Sequence, residues 1–93
     1  MGKFRVIISE TAIAHIAKHK KAGNTSALNK IAVILKELAE HPTYGTGKPE
    51  ELKYDLKGYW SRRINQKDRM VYSINNHTVT VEVVSAIGHY LDK

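Results

Sequence analysis

One apolar stripe constrains this chain more than any other feature. Leu28, Ile31, Ala32, Leu35, Leu38 and Ala39 recur at i, i+3, i+4 and i+7, the spacing that lines one face of an α-helix. A helix with such a face must bury it against another element. His41-Pro42 ends it, because the residue before a proline is driven out of the helical region. Downstream, the segments near 59–65, 69–75 and 78–87 read as strands. In the last of these Val79, Val81 and Val83 share one face, with Thr78, Thr80 and Glu82 opposite. Asn75-Asn76 is the candidate hairpin turn, since Asn tolerates positive φ. Residues 43–58, punctuated by Gly45, Gly47, Pro49 and Gly58, predict an ordered loop with at most a short strand.

Upstream of the stripe, Lys3-Phe4-Arg5-Val6-Ile7-Ile8 suits a short first strand. Ser9 is a good N-cap for a helix over about residues 10–22, with Ile13, Ile16 and Ala17 on one side. Gly23 and Asn24 break it, and Thr25 or Ser26 can cap the second helix. Strand, helix, helix and then antiparallel strands predict an α+β fold. In it, a two-helix hairpin covers one face of a curved sheet and leaves the other open. With 93 residues the expectation is a single domain, 1–93, with a modest core.

Fifteen Lys and Arg against nine Asp and Glu give a net charge of +6, which favours phosphate backbones or an acidic protein as partners. The absence of Cys excludes disulfides and a thiolate nucleophile. No apolar run approaches the roughly 20 residues that span a bilayer. Lys3 and Arg5 interrupt the only N-terminal apolar stretch, so no signal peptide is read. The expectation is a cytoplasmic protein with no membrane partner.

The charge is densest between residues 45 and 72. Alternation in 59–65 separates Trp60, Arg62 and Ile64 from Tyr59, Ser61, Arg63 and Asn65. Trp60 and Ile64 are expected to face the helices and Arg63 the open face. Arg62 is awkward on the packed side and is expected at the sheet edge, its stem covering apolar surface. Arg69 follows Arg63 after a short turn, and two converging guanidinium groups suit the oxygens of a phosphate. The plainer alternative is a solvated basic face. Glu50 follows a proline in the Gly-rich loop, and Lys48, Lys53 and Arg69 would keep it ionised and able to accept a proton. A surface salt bridge is its plainer reading, and Glu51 is an obvious decoy. His89, beside Tyr90, is a candidate proton donor with an ordinary pKa near 6.5. His15 and His19 share a helix face, but no Cys or carboxylate completes a metal site with them, so they read as surface residues. His41 reads as a helix-end residue and His77 as a turn residue. Tyr59 and Tyr90 could stack unpaired bases, whereas core packing suits Tyr72 better.

Taken together, His41-Pro42, Gly45-Thr46-Gly47-Lys48-Pro49-Glu50, Leu52-Lys53, Gly58 through Asn65, Arg69-Met70-Val71-Tyr72 and His89-Tyr90 resemble the YoeB/Txe family, a branch of the RelE/ParE toxins of bacterial toxin–antitoxin modules. The resemblance is dense over residues 41–72 and resumes at the end. It implies a RelE-like microbial RNase fold and a ribosome-dependent endoribonuclease that cuts mRNA in the decoding site without metal or other cofactor. It also implies that Glu50 is the general base and His89 the general acid. Arg63 and Arg69 would stabilise the phosphate, Tyr90 would position substrate, and Lys48, Lys53, Arg62 and Tyr59 would bind it. The implied partners are an acidic antitoxin, the ribosome with its mRNA, and operator DNA through the antitoxin. A gyrase-binding inhibitor of the ParE type and a degenerate binding domain are the alternatives. The family commonly ends Cys-Arg-Tyr-His-Tyr, whereas here Ala86-Ile87-Gly88 precedes His89.

Overall fold

A computed structural model describes residues 3–78 and 80–88. It contains β1 (Arg5–Ile8), α1 (Glu10–Lys21), α2 (Thr25–Leu38), β2 (Glu50–Glu51), a 3-10 turn at Tyr54–Leu56, β3 (Tyr59–Arg63), β4 (Arg69–Asn75) and β5 (Thr80–Ser85). The strands form one five-stranded sheet in the order β1-β5-β4-β3-β2. Every pairing is antiparallel except β1 with β5, which is parallel. The expected α+β architecture is therefore present. No helix among the described residues is long and apolar enough to cross a membrane.

The helix ends follow from local chemistry. Ser9 Oγ accepts the Ala12 N–H at 3.1 Å, satisfying a donor that the first turn leaves free. α1 closes with Gly23 at φ +74°, while Gly23 N donates to Lys20 O and Asn24 N to His19 O, the paired bonds of a glycine-terminated helix. Asn24, rather than Thr25 or Ser26, occupies the cap position of α2, yet its side chain makes no capping bond there. Its amide instead sits 3.3 Å from His19 Nδ1.

The face that α1 buries also differs from expectation. Ile13 is 55% exposed, whereas His19 is only 3% exposed and Ala12 fully buried. Ile16 packs against the core, and His15 is half-buried. The covered face thus runs Ala12, His15, Ile16, His19, a perfect i, i+3, i+4, i+7 set. It contains two histidines that polarity alone assigns to the surface.

The core joins Ala27, Ile31, Ile34 and Leu38 of α2 with Met70, Tyr72, Val81 and Val83 of the sheet and with Ile64 and Ala86 just beyond β3 and β5, and Trp60 packs against it. These sheet residues alternate along their strands, which defines an inner face toward the helices. The outer face is less open than expected, since Leu52, Ser61 and Val71 on it are also buried. The β4–β5 turn forms at 76–78, but by another route than positive φ. Asn75 Oδ1 accepts the N–H groups of His77 and Thr78, and neither Asn75 nor Asn76 adopts positive φ. A register shift at Val71/Tyr72 sets Val71 against Ser85 and Tyr72 against Val83, leaving Val84 as a bulged residue. Its carbonyl accepts from Ser9 Oγ at 3.2 Å.

Candidate functional site

The sheet register assembles the candidate residues. Glu50 lies opposite Ser61, Ser61 opposite Val71, and Val71 opposite Ser85. Arg63 lies opposite Arg69 in the neighbouring row of the same face. Directly opposed residues on one face hold their Cβ atoms about 4.5–5.5 Å apart, and diagonal neighbours about 7–8 Å. A carboxylate and two guanidinium groups therefore share one patch of the outer face. Glu50 and Arg63 are exposed there, and Arg69 is half-exposed. Between them Ser61 is fully buried, and its Oγ has no hydrogen-bond partner among the described residues. Tyr59 lies two residues before Ser61 on the same face and is half-buried.

Glu51 is opposite Trp60, so it projects to the inner side. One residue of register separates the two glutamates by the thickness of the sheet. Lys53 is exposed and extended, with φ −123° and ψ 174°. Alternation sets it on the side of Glu51, away from Glu50. Lys48 is exposed at φ +51°. His89 and Tyr90 lie outside the described residues. The last described residue, Gly88, accepts from Arg69 N and donates to Asp68 Oδ1, both at 3.0 Å.

The loop that carries Glu50 is pinned to β3 by Arg63 N donating to Gly47 O at 2.7 Å. Gly47 has φ +85°, and a Cβ there would come within 2.7 Å of Arg63 O. Both the backbone conformation and the close approach require glycine. Gly47→Ala is expected to destabilise the fold by about 1–3 kcal/mol, measured by urea unfolding. A variant as stable as the parent would mean that this contact does not exist in solution.

Arg62 corrects the sequence expectation. It lies neither at the sheet edge nor in reach of substrate, because β3 has neighbours on both sides and Arg62 is 0% exposed. Its Nη1 donates to Glu37 Oε1 at 2.6 Å, its Nη2 to the carbonyls of His41 and Tyr44, and its Nε to the Tyr72 hydroxyl. Tyr72 in turn donates to Pro42 O at 2.7 Å. Glu37 also accepts from the Thr46 N–H and hydroxyl. A buried charge persists only when paired and fully hydrogen-bonded, and this network meets both conditions. Burial pushes the Glu37 carboxyl upward, but the Thr46 bonds and the Arg62 guanidinium outweigh it and hold the group below its usual range. Burial raises the Tyr72 hydroxyl, with Arg62 opposing. The network ties the end of α2 to the segment 41–46, which leads into the Glu50 loop.

Residues 11–90 match the family described as YoeB-like toxin of bacterial type II toxin-antitoxin system. Toxin YoeB of Synechocystis sp. is 44% identical over 63 residues, covering 68% of this chain and 71% of that protein. Toxin YoeB of Streptomyces coelicolor is 38% identical over 72 residues, covering 77% and 83%. Among solved structures, the YoeB/ParE toxin from Agrobacterium tumefaciens superposes with a TM-score of 0.85 at 29% identity, covering 94% of this chain and all of that one. The toxin in the YoeB-YefM complex from Staphylococcus aureus superposes at 0.78 with 32% identity, over 94% and 98% of the two chains. Fold, motif and family agree, and the chain belongs to the YoeB-like toxins of bacterial type II toxin–antitoxin systems.

Proposed function

We propose that this toxin is a metal-free endoribonuclease acting on mRNA in the ribosomal decoding site. The observation that carries the reading is the register that gathers Glu50, Arg63 and Arg69 on the outer sheet face. In the reaction, the Glu50 carboxylate takes the proton of a ribose 2′-hydroxyl, and that oxygen attacks the adjacent phosphorus. Arg63 and Arg69 stabilise the charge that develops on the phosphate oxygens. The bond from phosphorus to the 5′-oxygen breaks as His89 protonates the departing oxygen. The products are a 2′,3′-cyclic phosphate and a 5′-hydroxyl. Tyr90 positions substrate, Tyr59 offers a half-exposed ring on the same face, and Lys48 adds charge at its rim. Arg62 has no direct part.

The YoeB of S. aureus forms a complex with YefM. By analogy the partner here is a small acidic antitoxin that covers the basic face and links the pair to operator DNA. Primer extension on transcripts after induction of the toxin tests the proposal. The expected result is discrete cuts inside translated frames with 5′-hydroxyl ends. DNA damage without transcript cuts would instead identify a gyrase inhibitor.

A further inference from the structure

The two histidines of α1 end on a single residue. Ala86 N donates to His15 Nδ1 at 3.0 Å, and His19 Nε2 lies 3.0 Å from Ala86 O. A ring nitrogen accepts a backbone N–H only when it carries no proton, and a carbonyl needs an N–H opposite it. With Asn24 donating to His19 Nδ1, both rings are neutral and carry their proton on Nε2. Ala86 itself is fully buried, one residue beyond β5 and two beyond the bulge at Val84. Two residues further on, Gly88 is bonded through both its N–H and its carbonyl to Asp68 and Arg69. The segment Ala86–Gly88 is thus held by α1 at one end and by the start of β4 at the other.

We propose that His15 and His19 are positioning residues that dock the Ala86–Gly88 segment and thereby set the starting point of the stretch that carries His89. The functional part of this inference rests on the reading of His89 as the proton donor. The docking itself does not. It also accounts for the sequence here, since Ala86 offers the histidines a backbone and no bulk.

Docking of this kind depends on pH. Burial lowers the affinity of His15 for a proton, Lys18 and His19 on its own helix lower it further, and Asp68 opposes them. His19 faces Asn24 from the turn between the helices. Lys18, Lys21, Lys67 and Asp68 line a hollow of about 490 Å³ beside it. Protonating His15 turns its acceptor into a donor aimed at the Ala86 N–H. Because the docked state resists protonation, docking is complete above about pH 6.5 and is lost as pH falls through the depressed value.

The test uses full-length toxin freed of antitoxin. Nitrogen-15 histidine spectra at pH 7.5 should show both rings in the Nε2–H tautomer. Amide-exchange protection of Ala86, corrected for intrinsic rate, should fall by roughly tenfold between pH 7.5 and 5.5, the scale of one lost hydrogen bond, while Val81 and Val83 stay protected. His15→Leu should remove that protection at neutral pH. His15→Asn, whose amide oxygen stands in for Nδ1, should keep it and abolish the pH dependence. In a translation extract, His15→Leu should lower kcat for mRNA cleavage without raising KM for ribosomes. An Nδ1–H tautomer on His15, or unchanged Ala86 protection and cleavage in His15→Leu, would overturn the proposal. Should wild-type toxin show the docking signature yet cut no transcript, the docking stands and the ribonuclease reading fails.

Discussion

Replacing Glu37 with Ala is expected to cost about 3–5 kcal/mol of folding stability, the penalty for stranding a buried charge. Arg62 has no exposed surface, and Glu37 is its carboxylate partner at 2.6 Å. Without it the guanidinium would face only the carbonyls of His41, Tyr44 and Thr46 and the Tyr72 hydroxyl. Neutral acceptors do not replace the lost counter-charge. The Glu37 side chain is 23% exposed, so water reaching the vacated position moves the expected value toward the lower end. Against a total of about 5–15 kcal/mol for a domain, even that end is large. The melting temperature should fall by about 12 °C or more.

Glu37→Gln should cost less, because an amide oxygen still accepts from Arg62 and Thr46. The pair Glu37→Leu with Arg62→Met should recover part of the loss, since apolar replacement of a whole buried pair is often near neutral. Urea unfolding decides the matter through a lowered midpoint at constant m. A Glu37→Ala shift under about 0.5 kcal/mol would show that Arg62 does not depend on this carboxylate. The same pair predicts acid sensitivity. The folded Glu37 holds its proton more weakly than the usual value of 4.5, so the unfolded chain binds more protons below that point. Its stabilisation is therefore present above about pH 4.5 and lost as pH falls through the lower folded value, and Glu37→Gln should flatten this acid limb.

The contrast between Arg62 and its neighbours shows what the sequence could convey. Period and punctuation are local properties, so both helices, four of the five strands, the Ser9 cap and the separation of Arg63 from Trp60 were legible. Arg63 and Arg69 could be assigned to one face from alternation and a short turn. Glu50 could not be separated from Glu51 by composition, because the decision rests on a two-residue pairing with β3. The role of Arg62 depends on Glu37, 25 residues away in sequence, and no local rule announces such a partner. Polarity assigns His15 and His19 to the surface, whereas spacing assigns them to the covered face. Read by spacing, Ala12, His15, Ile16 and His19 form one helical face. That signal was available, although Ala86, the residue the histidines hold, lies 67 to 71 positions away.

The largest functional effect is expected at Glu50. Glu50→Gln should lower mRNA cleavage by about 10²–10⁴-fold, the range for loss of a general base. Folding stability should stay within about 0.5 kcal/mol, because the side chain is exposed. Glu51→Gln is the matched control, with the same chemistry one residue away on a side chain that is also exposed. It should retain nearly full activity, since its partner Trp60 faces the helices whereas Arg63 and Arg69 share the face of Glu50. Single-turnover cleavage on programmed ribosomes measures both variants under identical conditions. Equal losses would mean that the carboxylates act through net charge, and a greater loss at Glu51 would place the base on the inner face. Only loss confined to Glu50 separates proton abstraction from electrostatics, because the two variants remove the same charge from the same strand.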